Sequence, residues 1–435
     1  MAAEKAFPAT TLVVFGITGD LAQRKLLPAL AALDKAKYLS PSFQILGLSR
    51  RKVASQKILP KSARRLKKYL KTLQIDIASQ ADYQKIRNEL PKNSQVVFYL
   101  AVPPTAVENI IEHLGRARLN GRKTKLLLEK PFGTDLASAR ILIKRIQKFY
   151  DEGQVYRIDH YLAKEAAQNL AVFLGANAVF REVWNRYYIE YIEIEASEQI
   201  GIENRTDFWE STGTLRDFVQ SHILQLAALV LMEPCDDFAD VERMPALRLS
   251  ALKQLKVDPA NVVRAQYSGY RREVGNSKST AETFVALTAR SDDPRWHGVP
   301  IYLATGKKLN QKLTEIRVKF KKVNGSRANL LTLRIQPKEG IEFDLWVKKP
   351  GHERQVEKLG LRFFYEHHFV SLPDAYEQVL LDVFDSNHSL FASSAEVIAS
   401  WQTLQLTLDA WAKSNDDLKL YRPGSSIEKI LGKPV

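Results

Sequence analysis

The sequence predicts a doubly wound parallel sheet over residues 1–160, followed by an α+β domain built on a large antiparallel sheet over residues 161–435. Up to about residue 160, short apolar runs alternate with helix-patterned segments, which is typical of βαβ units. Later segments alternate in polarity and are joined by short turns, which is typical of antiparallel strands. A length of 435 residues also favours two domains over one.

Continuous apolar runs predict five buried strands in the N-terminal part, because a strand covered on both faces needs apolar residues at every position. These runs are TLVVFG (11–16), FQILGLS (43–49), QVVFYLAV (95–102), KLLLEKPF (125–132) and QVYRID (154–159). Helix-patterned segments lie between them, the first over 20–34, and the basic run at 61–71 is interpreted as a solvated amphipathic helix. Strands and helices alternate, so the strands are expected to be parallel.

The segments after residue 160 predict a different architecture. A helix over 163–174 leads to IEYIEIEASE (189–198), where apolar and acidic residues alternate and indicate a strand with one solvated face. Further helices are expected over 214–232, 372–386 and 395–412. Four more strands are expected to pair as antiparallel neighbours, over 282–290, 316–323, 329–337 and 341–349.

Charge and cysteine content limit the classes of function. The formal net charge of +15 fits anionic partners such as nucleic acid, acidic membrane or small phosphorylated ligands. The basic runs lack interleaved aromatic residues and a nucleic-acid-binding motif, and no apolar run approaches the roughly 18 residues of a membrane span. We therefore expect neither nucleic acid nor membrane as a partner. The single cysteine, Cys235, excludes an intramolecular disulfide and suits a reducing, cytoplasmic location.

A glycine-containing turn follows the first predicted strand. Gly16, Gly19 and Ala22 form the pattern G-x-x-G-x-x-A between that strand and a helix. Glycines in such a turn let the backbone approach a pyrophosphate, which then lies at the helix N-terminus. A glycine pair alone is weak evidence, but its place directly after a buried strand indicates a Rossmann-type dinucleotide site.

The end of the second strand distinguishes the two nicotinamide coenzymes. An acidic residue there binds the ribose 2′-hydroxyl of NAD, whereas a basic residue accommodates the 2′-phosphate of NADP. The strand ends in GLSRRKV, with Arg50, Arg51 and Lys52 and no carboxylate. We therefore expect NADP as the coenzyme, with Arg50 as a contact and NAD as a secondary coenzyme. Ala101, before two prolines, is expected to line the nicotinamide side.

Three segments carry polar residues that a buried core would not need. Glu129 and Lys130 end a buried strand, at the edge where ligands bind in parallel sheets. The segment 157–165 ends the next strand and starts a helix. Asp217 and His222 lie in the otherwise apolar helical segment GTLRDFVQSHILQ. Five residues in an α-helix correspond to a rotation of about 140°, so helical spacing alone does not place these two side chains together.

These segments together resemble the glucose-6-phosphate dehydrogenase family, and the resemblance covers nearly the whole chain. The matching motifs are GITGDLAQRK (16–25), EKPFG (129–133), RIDHYLAKE (157–165), SEQIG (197–201), RDFVQSH (216–222), GKKLNQK (306–312), RIQPKEG (334–340) and LPDAYE (372–377). So many matches in the same order are far more specific than any one of them.

The resemblance implies an enzyme that oxidises D-glucose 6-phosphate at carbon 1 to 6-phosphoglucono-1,5-lactone and transfers a hydride to NADP, the first step of the oxidative pentose phosphate pathway. His222 fills the position of the family's general base, and Asp159 that of its carboxylate partner. Histidine suits this role because its ordinary pKa is about 6.5, and a neighbouring carboxylate can orient the imidazole.

Binding roles also follow from the resemblance, motif by motif. The implied coenzyme contacts are Gly16, Thr18, Gly19, Asp20, Leu21, Lys25, Arg50, Ala101 and Lys130. The implied substrate contacts are Lys130, His160, Tyr161, Lys164, Glu198, Asp217, Lys307, Lys312 and Gln336. Among these, His160, Tyr161 and Lys164 match the residues that bind the sugar phosphate, whereas Glu198 and Asp217 match carboxylates that hold sugar hydroxyls. No metal ion is expected.

The chain departs from the family pattern in two motifs, and other functions stay open. Ala163 replaces the usual glycine of the phosphate motif, and SEQIG lacks the proline of K-E-P-F-G, so substrate affinity is the property most affected. One alternative is the same fold acting with NAD or on another aldose phosphate. Another is a non-catalytic regulatory or nucleic-acid-binding relative. An antiparallel sheet with an exposed face also favours a homodimer or homotetramer.

Overall fold

The computed structural model describes residues 7–203, 205–235, 240–322, 327–369 and 372–432, and these divide into two compact units. One unit comprises Met1–Gly133, Ala137–Ala163 and Pro373–Val397, and the other comprises Thr134–Leu136, Lys164–Leu372 and Ile398–Val435. A segment from late in the chain therefore belongs to the first unit.

In chain order the strands are β1 (Thr10–Phe15), β2 (Gln44–Ser49), β3 (Leu70–Gln74), β4 (Gln95–Leu100), β5 (Thr124–Leu128), β6 (Val155–Arg157), β7 (Ile189–Ser197), β8 (Leu255–Tyr267), β9 (Phe284–Ser291), β10 (Ile301–Gly306), β11 (Leu313–Phe320), β12 (Leu330–Gln336), β13 (Gly340–Lys348), β14 (Val356–Phe364) and β15 (Lys419–Tyr421). The α-helices are α1 (Leu27–Lys35), α2 (Ser55–Ile58), α3 (Gln80–Glu89), α4 (Pro104–Arg116), α5 (Leu136–Gln147), α6 (Glu165–Ala176), α7 (Ala178–Val183), α8 (Thr206–Thr214), α9 (Leu224–Leu231), α10 (Met244–Gln254), α11 (Tyr270–Glu273), α12 (Ala375–Asp385), α13 (Ser394–Lys413) and α14 (Ile427–Leu431). Two π-helical segments, Ala22–Leu26 and Leu215–Ile223, precede α1 and α9.

The first unit contains a six-stranded sheet with the order β3-β2-β1-β4-β5-β6. All neighbouring strands are parallel. The strand order reverses between β1 and β4, and in such sheets dinucleotides bind in the crevice outside the carboxyl ends of the strands at that point. The predicted doubly wound, Rossmann-type sheet is confirmed.

Residues 61–71 differ from the expected amphipathic helix. Lys61–Lys68 form a 3₁₀-helix, and the chain then enters β3 at Leu70. β3 lies at the edge of the sheet, and Leu70 is its one buried residue. An edge strand needs no continuous apolar run, which explains why its pattern did not identify it.

Helix α12 completes the core of the first unit. Its sequence AYEQVLLDVFD repeats apolar residues every three or four positions, as an amphipathic helix requires. Val379 and Val383 are buried in the same apolar cluster as Leu12 of β1. Asp374 caps the helix by accepting a hydrogen bond from the backbone N–H of Tyr376 at 2.9 Å. The start of α12 therefore has a fixed position in this unit.

The second unit contains a nine-stranded sheet with the order β14-β13-β12-β11-β7-β10-β9-β8-β15. Most neighbouring strands are antiparallel, while β10 pairs with β7 and β15 with β8 in parallel. The predicted large antiparallel sheet is confirmed, with these two parallel pairs added. Among the described residues, none of the helices has the length and hydropathy that crossing a membrane would require.

Two acidic residues of β7, Glu193 and Glu195, are buried, whereas the sequence predicted a solvated face; Glu190 is exposed as expected. Glu193 and Glu195 each form an ion pair with Arg317 of β11. Arg317 also forms an ion pair with Glu315 at 3.0 Å. Because Arg317 of the neighbouring strand pairs with these carboxylates, they are buried without leaving an uncompensated negative charge.

Candidate active site

The turn after β1 requires glycine at its first position. Gly16 has a φ of +82°, a conformation that side chains other than hydrogen disfavour. A Cβ on Gly16 would also lie inside van der Waals contact with the carbonyl oxygen of Ala101. The Gly19 N–H donates to the Gly16 carbonyl at 2.9 Å and closes the turn. The backbone can thus approach a ligand closely, as a pyrophosphate site needs.

Replacing Gly16 with alanine is expected to lower the free energy of unfolding by about 1–3 kcal/mol, because the methyl group meets backbone atoms and φ becomes strained. Gly153→Ala is the matched control, since nothing lies within 4 Å of a Cβ at Gly153. Urea unfolding of both variants measures the difference. Equal stabilities would show that the turn tolerates a side chain.

A cleft of about 360 Å³ lies at the carboxyl ends of β1, β2 and β4. Its volume falls within the roughly 300–1,000 Å³ that is usual for small-molecule pockets. The lining includes five of the residues predicted to bind the coenzyme: Gly16, Thr18, Gly19, Arg50 and Ala101. The structure therefore brings these five together where a dinucleotide binds in such sheets.

The other predicted coenzyme residues lie outside this lining. Asp20 forms an exposed ion pair within its own helix, and Leu21 packs against the core. The Lys25 Nζ donates to the Asp374 Oδ2 at 3.0 Å. Lys130 follows β5 and is partly buried. Coenzyme contacts by these four residues stay predictions, as do those of the five that line the cleft.

A compact turn follows β6 and contains three predicted residues. The buried Asp159 accepts a hydrogen bond at Oδ1 from the backbone N–H of Tyr161 at 2.9 Å. The ring of Tyr161, itself buried, lies 4.8 Å from that of His160. This backbone hydrogen bond fixes the orientation of the carboxylate at the carboxyl edge of the six-stranded sheet.

Sheet register brings predicted substrate residues to one edge of the nine-stranded sheet. The ends of the parallel strands β7 and β10 are in register, with Ser197 opposite Gly306. Glu198 and Lys307 directly follow these two strands, so they lie side by side at the edge of the sheet. The Lys307 Nζ donates to the Glu198 Oε2 at 2.6 Å.

Lys312 and Gln336 lie at the same edge. Lys312 is exposed and directly precedes β11, whose first residue Leu313 is opposite Ser197. Gln336 ends β12 and donates to the Thr314 hydroxyl at 3.1 Å. The register of three adjacent strands therefore carries both side chains to the place where Glu198 and Lys307 leave the sheet.

Lys307 is held in place by two contacts. Besides the ion pair with Glu198, its ammonium lies 4.7 Å from the centroid of the Trp209 ring. Lys307 is only 8% exposed. A charge-assisted hydrogen bond and a cation–π contact thus orient a nearly buried cation.

Lys164 directly precedes α6 and faces a carboxylate from the loop between β12 and β13. Its Nζ lies 3.9 Å from the Glu339 Oε1, and the Glu339 Oε2 accepts the backbone N–H of Ala166 at 2.8 Å. Burial raises the pKa of Glu339, and these two contacts partly offset the rise. Burial also raises the pKa of Glu165, to which the charge of Glu339 adds. An ammonium at a helix start is suited to an anionic group.

Asp217 and His222 lie in the π-helical segment Leu215–Ile223 instead of the expected α-helix. In a π-helix residue i+5 donates to residue i, so residues five apart are about one turn apart. The rotation of about 140° expected for an α-helix therefore does not apply to this segment, in which five residues span about one turn. His222 is 1% exposed, and its ring packs edge-on against Phe218 at a centroid distance of 5.1 Å.

A buried carboxylate sits at the start of this π-helical segment. The Glu282 Oε1 accepts the backbone N–H of Leu215 at 2.9 Å. Gly213 has a φ of +67°, and a Cβ there would collide with the same carboxylate. Burial raises the pKa of Glu282, and the hydrogen bond from Leu215 offsets part of the rise. The helix that carries His222 is thus anchored at its first residue.

Comparisons with known proteins identify the family. Residues 13–169 match the family model for the glucose-6-phosphate dehydrogenase NAD binding domain, and residues 171–430 match that for the glucose-6-phosphate dehydrogenase C-terminal domain. The chain belongs to the glucose-6-phosphate dehydrogenase family. The family expected from the sequence motifs is confirmed.

Relatives of similar length support this membership. The chain is 35% identical to glucose-6-phosphate 1-dehydrogenase of Dickeya dadantii, with 98% of this chain and 96% of the relative covered. It is 36% identical to that of Chlamydia muridarum, with 97% and 94% covered. A glucose-6-phosphate dehydrogenase solved with its substrate glucose-6-phosphate is 28% identical, with a TM-score of 0.90 and 98% of each chain covered. The glucose-6-phosphate 1-dehydrogenase structure from Mycobacterium avium is 31% identical, with a TM-score of 0.86 and 97% and 95% covered.

Motif matching missed two residues that support the site in this member of the glucose-6-phosphate dehydrogenase family. Glu339 lies within RIQPKEG and Glu282 begins the predicted strand over 282–290, and the sequence pattern indicates no role for either carboxylate. Both are instead hydrogen-bonded to the N-terminus of a helix that carries a predicted site residue. For Glu282, the glycine at position 213 was the available signal, because it makes room for the carboxylate.

Proposed function

We propose that this protein oxidises glucose 6-phosphate at carbon 1 to 6-phosphoglucono-1,5-lactone, with NADP as hydride acceptor. The observation that carries the proposal is the edge of the nine-stranded sheet where Glu198, Lys307, Lys312 and Gln336 lie together. Ammonium groups there suit a phosphate dianion, and carboxylate and amide groups suit sugar hydroxyls. The relative that was solved with glucose-6-phosphate supports the same substrate.

The cleft in the first unit suits a dinucleotide. Gly16 and Gly19 let the backbone approach a pyrophosphate, and Arg50 adds a cation at the end of β2. When bound, the nicotinamide ring of the coenzyme accepts a hydride. The residues that line this cleft would hold the coenzyme, and Lys130 is proposed to contact both coenzyme and substrate.

His222 is proposed as the general base that takes the proton of the carbon 1 hydroxyl. A neutral imidazole can accept that proton near neutral pH. Asp159 is proposed to orient the imidazole and to stabilise its charged form. The backbone N–H of Tyr161 supports this role, because it holds the Asp159 carboxylate in one orientation. His160, Tyr161 and Lys164 are proposed to bind the sugar phosphate.

Absorbance at 340 nm tests this function directly. We expect reduction of NADP with glucose 6-phosphate and no measurable rate with free glucose. Equal rates with free glucose would overturn the phosphate site. A preference for NAD or for another aldose phosphate would favour the first alternative function, and no reduction with any pair would favour a non-catalytic relative.

The preference for NADP over NAD is proposed to depend on Arg50. Arg50→Ala is expected to raise KM for NADP about 10- to 100-fold, because one charge-assisted contact to the 2′-phosphate is lost, and to leave KM for NAD nearly unchanged. Lys57→Ala removes an exposed cation from the same segment outside the cleft lining and is the control. Equal effects of Arg50→Ala on both coenzymes would remove Arg50 from the 2′-phosphate site.

A homodimer or homotetramer and a cytoplasmic location are also proposed. The large sheet of the second unit leaves apolar side chains exposed on its edge strand β14, including Leu359 and Leu361, which supports self-association. Sedimentation equilibrium measures the mass in solution, and a monomer at micromolar concentration would contradict it. The single cysteine supports the reducing compartment.

A further inference from the structure

The Glu129 carboxylate at the carboxyl end of β5 is held by two tyrosine hydroxyls. Tyr99, a buried residue of the neighbouring strand β4, donates to the Glu129 Oε1 at 2.6 Å. Tyr376 of α12 donates to the same oxygen at 3.0 Å, although Glu129 and Tyr376 are 247 residues apart in the chain. Glu129 directly precedes Lys130, which the proposed function places at the coenzyme.

The surroundings of Glu129 raise its pKa overall, while two hydrogen bonds hold the carboxyl group in place. Burial raises the pKa of Glu129, whereas the hydroxyls of Tyr99 and Tyr376 and the charge of Lys130 lower it. Burial and the adjacent carboxylate also raise the pKa of both tyrosines, so both hydroxyls keep their protons and act as donors. Two donors on one oxygen hold the carboxylate more firmly than either would alone.

A second contact connects the start of α12 to the coenzyme motif. Asp374, the cap of α12, accepts a hydrogen bond from Lys25, which follows the glycine turn. The same carboxylate accepts the backbone N–H of Tyr376. The start of α12 therefore touches both the segment after β1 and the segment after β5.

We propose that Tyr376 is a positioning residue for the coenzyme, which acts by holding Glu129 and, through the adjoining backbone, Lys130. This inference rests on the proposed function, because Lys130 is a coenzyme contact only there. The hydroxyl is not needed for packing, since Val379 and Val383 of α12 supply buried apolar contacts and phenylalanine would fill the space of the ring. Tyr376→Phe removes the hydrogen bond of this hydroxyl to Glu129 and its hydrogen bond with the Tyr99 hydroxyl, which itself holds Glu129.

Binding of NADPH to the full chain tests the proposal, with the coenzyme's own fluorescence as the signal and no sugar present. Tyr376→Phe is expected to raise Kd for NADPH about 3- to 10-fold, because Lys130 loses its fixed support. Tyr150→Phe is the matched control, since it removes a hydroxyl from another buried tyrosine of the first unit, which donates to the Leu119 carbonyl. Its Kd is expected to equal that of the wild type.

A double-mutant cycle separates positioning from a loss of stability. In a Lys130→Met background, Tyr376→Phe is expected to have no further effect on Kd, because the group that it positions is gone. If the double variant lost affinity by the product of the two single effects, the residues would act independently and the proposal would be overturned. An unchanged Kd in Tyr376→Phe would overturn it as well. If the wild type itself failed to bind NADPH, the proposed function would fail as well, so the two failures are distinguishable.

Discussion

Replacing His222 with asparagine is expected to lower kcat about 10²- to 10⁴-fold, with little change in KM for glucose 6-phosphate. Asparagine keeps a polar group at this buried position but cannot take a proton from the carbon 1 hydroxyl near neutral pH. The decrease in kcat would therefore come from the chemical step, and binding of the substrate in the ground state would be unchanged.

His297→Asn is the matched control for this experiment. It makes the same change at an exposed histidine of the second unit, and its kcat is expected to equal that of the wild type. Initial rates at 340 nm give kcat and KM, and circular dichroism checks that both variants are folded. Near-normal turnover by His222→Asn would remove this residue as the base.

The helix type around His222 is a feature that sequence periodicity did not predict. An α-helix with 3.6 residues per turn would separate Asp217 and His222 by about 140° around its axis. The chain instead forms a π-helical segment whose first N–H, that of Leu215, donates to the buried Glu282 carboxylate. The anchoring side chain lies 67 residues further along the chain than Leu215, so a local pattern does not reveal this contact.

In the first unit, the strands that are buried on both faces were predictable from their continuous apolar runs. β1 and β4 are buried at every position and were recognised from continuous apolar runs. β14, at one edge of the large sheet, is mostly exposed and carries no such run, and it was missed. The apolar pattern of a strand depends on how many of its faces are buried. An exposed edge strand therefore has a weak pattern and is hard to predict from the sequence alone.

The place of α12 in the first unit could not be read from the sequence either. A helix over 372–386 was expected from the sequence, but its position late in the chain suggested the second domain. Its buried residues pack in the cluster that contains Leu12 of β1. This packing brings Tyr376 to Glu129. The motif LPDAYE identifies the segment, but it does not show the hydrogen bond between these two residues.

Lys164→Ala is expected to raise KM for glucose 6-phosphate about 10- to 100-fold, with a smaller change in kcat. A hydrogen bond between charged groups contributes about 1.5–3 kcal/mol, and alanine would remove the one that Lys164 is proposed to make with the phosphate. Loss of the ammonium also leaves Glu339, 3.9 Å away, without this counter-charge at the proposed phosphate site. Repulsion between carboxylate and phosphate would then add to the loss of affinity.

Two further variants separate the contact with the phosphate from the contact with Glu339. Lys338→Ala removes an exposed lysine from the loop that carries Glu339 and is expected to leave KM unchanged. Glu339→Gln keeps a hydrogen-bond acceptor for the Ala166 N–H but removes the negative charge next to Lys164, so it is expected to lower KM or leave it unchanged. A rise in KM with Glu339→Gln as large as that with Lys164→Ala would mean that Lys164 supports the start of α6 and does not contact the phosphate.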